Sequence, residues 1–214
     1  VFVAVIDPGV GTGRKSVVLK TKSGHYFVSP DNGTLTLVAD QLGIDSVREI
    51  DETRFRRPGS ERSATFDGRG VYSYTAAYLA SGQASFAGIG PELPPDVVRI
   101  PYQKPELAGS TVRGNIPILD VQYGNVWTNI DRATFERLGI AKGAQVDVRI
   151  FKEQRQVYKG AMPYVSTFGD VPVGNPLLYL NSLDDVALAI NWGSFAQTYG
   201  IGSGPEWRIE LAKR

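Results

Sequence analysis

The sequence has no cysteine, a single histidine (His25), a single methionine and almost no net charge, with 23 Lys+Arg against 22 Asp+Glu. Each shortage removes a class of chemistry. Without cysteine there are no disulfides, no thiolate metal sites and no thiol nucleophile. One histidine excludes a multi-histidine metal site, and a Ser-His-Asp triad would have only His25 to draw on. His25 follows a turn, precedes Tyr26-Phe27-Val28 and has no Ser or Cys partner in a motif, so it reads as a hairpin or surface residue. A formal charge of +1 argues against a general nucleic-acid binder, whose affinity comes from massed Lys and Arg. No apolar run approaches the roughly 20 residues needed to span a bilayer. What is present is an ordinary globular composition, 42% hydrophobic and 21% charged, unlike that of a disordered chain.

The length of 214 residues fits one large domain or two small ones. The first half alternates strand and helix patterns. VFVAVID (residues 1–7) is a continuous apolar, β-branched run, the pattern of a strand buried on both faces. SVVLKT and HYFVSP flank the turn Lys22-Ser23-Gly24, a hairpin signal. LTLVADQLG and VYSYTAAYLASG are helical patterns with glycine stops at Gly43 and Gly82. Residues 52–63 are polar, and Arg54, Arg56, Arg57 and Arg62 among them read as a solvated loop face, offset by Glu49, Asp51, Glu52 and Glu61. Residues 90–109 carry five prolines and read as a linker. Beyond them short β patterns dominate, with DRATFERLG and GSFAQTYG as the helical exceptions. The expected fold is therefore an α/β domain, a central sheet flanked by helices, over residues 1–100, and a small all-β barrel over 108–214. The chain starts without Met inside a strand pattern, which suggests a fragment of a longer protein. A cytoplasmic location is favoured, but an export signal upstream of Val1 stays open.

Four segments hold candidate chemistry. Gly9–Ser16 (GVGTGRKS) is glycine-rich, but the phosphate loop needs Gly before its Lys, where Arg14 stands, and a helix after it, where a strand pattern follows. A better reading has Arg14 folding back onto Asp7, which keeps the carboxylate ionised and oriented to position water or a polar group. The alternative is an Asp–Arg pair that merely braces a turn. Thr65-Phe66-Asp67-Gly68-Arg69-Gly70 opens a helix and is either a site or a helix cap. Asp120–Asn129 (DVQYGNVWTN) delivers Asp, Tyr and two Asn around a glycine. Amides can read a base edge and aromatics can stack on its face, or these are ordinary turn residues. Thr167–Pro172 (TFGDVP) supplies a further loop aromatic, Phe168.

IDPGVGTGRK, PDNG, TFDGRG, DVQYGNVWTNI, TFGDVP and NSLDDVALAINWG occur in this order. Together they resemble the signatures of the S-adenosyl-L-methionine (SAM) hydroxide adenosyltransferases, the adenosine-forming SAM hydrolases, which are relatives of the bacterial fluorinase and chlorinase. The resemblance spans essentially the whole chain. It implies a homotrimer with SAM bound between the N-terminal domain of one subunit and the C-terminal domain of its neighbour. It also implies a preceding segment with a ribose-holding Asp. No metal or other cofactor is implied, SAM being the substrate, and no nucleic acid or membrane partner.

Carried over by motif, Asp7 and Arg14 match two members of the hydrolases' Asp-Arg-His catalytic set. Phe66 matches an aromatic lining the reacting carbon. Asp120 matches a carboxylate near the methionine amine, and Ser182 a contact to the methionine end. Asn125 and the backbone at Trp192 match adenine contacts, and Phe168 a stacking residue. Tyr123 and Asn191 fall in the same motifs and complete the implied substrate-binding set with Gly68. The fluorinase has Tyr where this chain has Asp7, and a halide-binding Ser where it has Gly68. Both differences point to water as nucleophile.

The hydrolase motif TFHGRD reads TFDGRG here, so the catalytic set becomes Asp7, Arg14 and Asp67, two carboxylates near one arginine and able to share a proton. The expected activity is attack of water on C5′ of SAM, giving adenosine and methionine. The alternatives are a SAM-dependent halogenase and a SAM- or adenosine-binding protein with little turnover.

Overall fold

The structure, a computed structural model, describes residues 1–63 and 65–214. The chain divides into two compact units, Val1–Pro101 and Tyr102–Arg214. Both are built mostly of sheet, and among the described residues no helix is long and apolar enough to cross a membrane.

The first unit contains β1 (Phe2–Val3), β2 (Ser16–Thr21), β3 (Tyr26–Pro30), α1 (Thr36–Leu42), β4 (Ile44–Glu49), α2 (Ser73–Ala80) and β5 (Glu92–Leu93). They form one sheet in the order β1-β3-β2-β4-β5, antiparallel except for the β1–β3 pair. Alternation along β2 sends Val17 and Leu19 to one face, with Leu35 and Ala39 of the α1 region. Val18 goes to the other, with Val71, Tyr72 and Ala76 of the α2 region. Each such fully buried aliphatic side chain contributes about 1.5–3 kcal/mol relative to an exposed one.

Two expectations are corrected here. Residues 1–7 are not a strand buried on both faces. Only Phe2–Val3 pairs, at the sheet edge and with β3 alone, and Phe2, Val3 and Ile6 stay exposed. Nor is the proline-rich stretch a free linker up to residue 100. Val98 N–H donates to Asp31 and Ile100 N–H to Thr36, while Arg99 pairs with Asp40.

The second unit contains β6 (Glu106–Ala108), β7 (Thr111–Ile116), β8 (Ile118–Asp120), β9 (Asn125–Asp131), α3 (Arg132–Glu136), β10 (Gln145–Lys152), β11 (Arg155–Pro163), β12 (Pro176–Leu180), β13 (Asp185–Ile190), α4 (Phe195–Tyr199) and β14 (Gly204–Lys213). Asp131 and Ser194 cap α3 and α4 through bonds from Thr134 N–H and Gln197 N–H, which satisfies donors the short helices cannot. The strands make two sheets, β11-β10-β14-β7-β6 and β12-β13-β9-β8. Val148, Ile150, Ile209 and Leu211 of one share a core with Val126, Ile130, Val186 and Leu188 of the other. Ala187 and Ala189 of β13 point to a smaller cluster with Val165, Leu177 and Tyr179, which is why VALAI is apolar throughout. The expected barrel does not close: among the described residues no strand pairing joins the two sheets beyond an isolated bridge, Tyr164 to Leu178. Pro117, between β7 and β8, lacks the N–H to continue a ladder, and the chain changes sheets there.

Candidate active site

In the first unit the loop after β1 folds back on itself. Thr12 closes it, with its N–H and hydroxyl both bonded to Gly9 O, and Gly11 takes φ 80°, a conformation open to glycine. This brings Arg14 onto Asp7, seven residues earlier. Nη2 donates to Oδ2 at 2.6 Å, and Nε reaches Oδ2 at 3.0 Å and Oδ1 at 3.2 Å. The fork geometry fixes the carboxylate in orientation. Asn32, from the PDNG segment, donates to Ile6 O at 2.9 Å and to Asp7 Oδ1 at 3.4 Å, and Thr34 donates to Ile6 O. The PDNG motif therefore braces the approach to Asp7, a role its composition did not announce.

Asp67 comes from the start of the second helical region, where a π-helical turn, Gly68–Tyr72, precedes α2. Such turns are rare and often mark functional sites. The Asp67 side chain makes no capping bond. Its Oδ2 accepts from Arg14 Nη2 at 3.0 Å and its Oδ1 from Arg56 Nη2 at 3.1 Å. One Arg14 nitrogen thus touches both Asp7 and Asp67. Arg56 also donates to Glu52 at 2.6 Å, Glu52 accepts from Ser16 Oγ at 2.7 Å, and Ser16 accepts from Arg14 Nη1 at 3.3 Å. The chain of contacts is a closed ring: Arg14, Asp67, Arg56, Glu52, Ser16 and back to Arg14. Because the Ser16 proton goes to Glu52, Tyr72 Oη, 3.0 Å away, is the donor in their contact. Burial pushes the Tyr72 phenol up to about 12, so it keeps that proton at neutral pH. Burial alone would lower the Arg14 pKa, but the bonds to Asp7 and Asp67 outweigh it and the net shift is upward. Arg56 behaves alike, with Glu52 and Asp67 overcoming desolvation.

Arg56 is therefore not part of a solvated face, and the two aspartates do not depend on one arginine. A pocket of about 440 Å³ opens over Arg14, Glu52, Arg56 and Asp67, with Gly11 and Thr12 at its rim. Beside it Phe66 is exposed, with the Arg69 guanidinium 5.2 Å from its ring centroid. A Cβ on Gly68 would lie 3.5 Å from Val5. His25 is on the surface and bonds to Ser23.

The remaining residues lie in the second unit. The turn from β8 to β9 bonds Tyr123 N–H and Gly124 N–H to Asp120 O. Gly124 takes φ 72°, and a Cβ there would collide with Ser194. Asn125 is buried and donates to Asp120 Oδ2 at 3.2 Å, while Tyr123 and Val121 are exposed. Asn191 is buried and donates to Val171 O at 2.8 Å, and its own carbonyl accepts from Gly174 N–H. The next residue, Trp192, has φ 57° and is 90% exposed. Phe168 leans on Tyr179 with centroids 5.0 Å apart.

The register of β13 on β9 pairs Leu188 with Val126 and Asp185 with Asp131. Asp120, Tyr123, Asn125, Asn191 and Trp192 thus gather at one end of the four-stranded sheet. Ser182 belongs to the other end, in a turn that Asn181 Oδ1 organises by accepting from Leu183 and Asp185 N–H. Among the described residues no group of three or more His, Cys, Asp or Glu side chains is placed to hold a metal ion.

Comparison with known proteins places these residues in a family context. Residues 1–90 match the family model for the SAM hydroxide adenosyltransferase N-terminal domain, and residues 114–208 match that for its C-terminal domain. The (R)-S-adenosyl-L-methionine hydrolase of Salinispora tropica is 36% identical over 214 residues, covering 98% of this chain and 74% of that protein. The fluorinase of Actinoplanes sp. is 30% identical over 229 residues, covering 95% and 74%. A crystal structure of an uncharacterized conserved protein from Thermotoga maritima superposes with a TM-score of 0.87 at 32% identity, covering 99% of this chain and 77% of that one.

Proposed function

Because this chain belongs to the SAM hydroxide adenosyltransferase family, we propose that it hydrolyses S-adenosyl-L-methionine to adenosine and L-methionine. Water attacks C5′, the O–C5′ bond forms as the C5′–S bond breaks, and the electron pair leaves with methionine as a neutral thioether. One proton is released. The sulfonium is already a good leaving group, so the protein's task is to hold water in line and keep the site dry. Asp7, fixed by Arg14, accepts a hydrogen bond and then the proton from that water, and Asp67 assists through the same guanidinium. Phe66 packs beside C5′, where Gly68 leaves room. Asn125, Phe168, Tyr123, Asn191 and the backbone at Trp192 hold the adenine end and Asp120 the methionine end, while Ser182, at the opposite end of the same sheet, does not join them in that sheet. SAM is the substrate in this reading, and no cofactor takes part.

The observation that carries it is the pair of carboxylates, Asp7 and Asp67, on one Arg14 nitrogen. Two anions at the reacting centre accept hydrogen bonds from water and repel a halide, which favours hydrolysis over halogenation. We further infer a homotrimer in which the first unit of one subunit and the second unit of a neighbour complete each site, together with a cytoplasmic location. The exposed Trp192, Tyr123 and Val121 support the shared site, and light scattering tests the subunit number.

The deciding experiment incubates the protein with SAM, with and without chloride or fluoride, and separates the products. Adenosine and methionine in equal amounts are expected. A 5′-halo product formed only with halide would overturn the hydrolase reading, and tight adenosine binding without product would make this a binding protein.

A further inference from the structure

Nothing in the motif set singles out Arg56 or Glu52, yet both sit in the ring that holds Asp67. Asp67 is buried, and each of its oxygens meets a different guanidinium. Arg14 is itself committed to Asp7 through both Nε and Nη2, so it cannot orient Asp67 alone. Arg56 supplies the second contact. Arg56 is in turn held by Glu52, and Glu52 by Ser16, whose hydroxyl also touches Arg14 and Tyr72. A shift of Arg56 therefore moves Asp67, the carboxylate that Arg56 and Arg14 share.

Arg56 reaches this position because Gly70 lets its loop in. Arg57 N–H donates to Gly70 O at 2.7 Å. A Cβ on Gly70 would lie 2.9 Å from Ser60 Oγ, 3.2 Å from Ser60 Cβ and 3.6 Å from Arg56 Nη1. A side chain at position 70 would force Ser60, in the loop that carries Arg56, to give way. Positions 67 and 70 are the two at which TFDGRG departs from TFHGRD. Here they form one device, a carboxylate at 67 and a vacated position at 70 through which a second arginine comes to meet it.

We propose that Arg56, anchored by Glu52 and admitted by Gly70, is a positioning residue of the active site that acts through Asp67. The inference rests on the SAM-hydrolase reading above. Its signature is dependence on Asp67: Arg56 matters while position 67 is a carboxylate and loses its value when it is not.

The test compares SAM turnover by wild type, Arg56→Gln, Arg56→Lys, Asp67→Asn, Asp67→His and the two doubles that combine Arg56→Gln with each Asp67 change. Each is checked for folding by its melting curve. Arg56→Gln is expected to lower kcat about tenfold or more while KM for SAM changes less than about threefold. Arg56→Lys, which keeps the charge but loses the fork, recovers part of that loss. Added to Asp67→Asn, Arg56→Gln costs nothing further, and added to Asp67→His it raises kcat, because it removes a cation facing the imidazole. Losses that multiply in the Asn double, an unchanged kcat in Arg56→Gln, or a change confined to KM would overturn the proposal. A wild type that releases no adenosine would instead sink the hydrolase reading, and this inference with it.

Discussion

In the first unit the charged side chains of the site are held by one another, whereas in the second the side chains offered to a ligand are held by little but backbone. Asp7 is gripped by Arg14, Asp67 by two arginines, and Glu52 by Arg56 and Ser16. The second unit instead fixes its chain with a tight glycine turn at Gly124 and buried amides at Asn181 and Asn191, and it leaves Trp192, Tyr123 and Val121 in the open. The first arrangement sets charges before any ligand arrives, so they need not reorganise during reaction. The second holds apolar surface ready to be covered, which yields affinity without directing chemistry. In the proposed reaction the first unit would act and the second would hold.

Substitutions should then separate kcat from affinity according to the unit they fall in. The largest effect is expected from Asp7→Asn, which keeps the shape and removes the charge and basicity. Turnover of SAM should fall by about 10²–10⁴-fold, with adenosine affinity by calorimetry changed less than about twofold. Unchanged turnover would remove Asp7 from the mechanism. Asn125→Ala in the second unit should do the reverse. It takes away the proposed adenine contact and the partner of Asp120, and is expected to weaken adenosine binding by about 1–3 kcal/mol, while kcat at saturating SAM stays within about threefold. A collapse of kcat in that variant would break the division between the units.

How far this was legible in the sequence follows the range of the contacts. The Asp7–Arg14 pair could be read because the six residues between them, three of them glycines, leave the chain little else to do than turn back. The Asp120–Asn125 turn is local in the same way. Arg56 was not legible. Four arginines fall in residues 54–62 with no periodicity, and the one that turns inward is chosen by Gly70, which is distant in sequence. The β-rich second half was evident from short alternating runs. Whether such strands close or split into two sheets depends on pairing between distant segments and on one proline, Pro117, which a list of strands does not weigh.

Trp192 sharpens the account of the second unit. A bulky residue at φ 57° carries backbone strain of order 1 kcal/mol, and its exposed ring gives little back within the unit. Trp192→Asn, which tolerates that conformation, should raise the melting temperature by an amount equivalent to about 0.5–1 kcal/mol. If adenine meets only the backbone there, adenosine affinity should stay within about threefold. A loss of affinity beyond tenfold would instead give the indole itself a place in the site.

The smallest effect tests the rule for the first unit, that its carboxylates are steadied by cations. Asp31 is met by a backbone N–H, from Val98 at 2.8 Å, and burial raises its pKa above the ordinary 3.8 despite that bond. A carboxyl whose pKa is raised by folding binds its proton more tightly in the folded state. Its contribution to stability is therefore complete below pH 3.8 and is lost as pH rises through the folded value. At neutral pH Asp31 weakens the unit slightly. Asp31→Asn keeps an oxygen for Val98 and removes the charge, so it should raise the melting temperature at pH 7 and leave it unchanged at pH 3. A lower melting temperature at pH 7 would mean that the charge is stabilising after all, and that a guanidinium partner is not what a half-buried carboxylate of this unit needs.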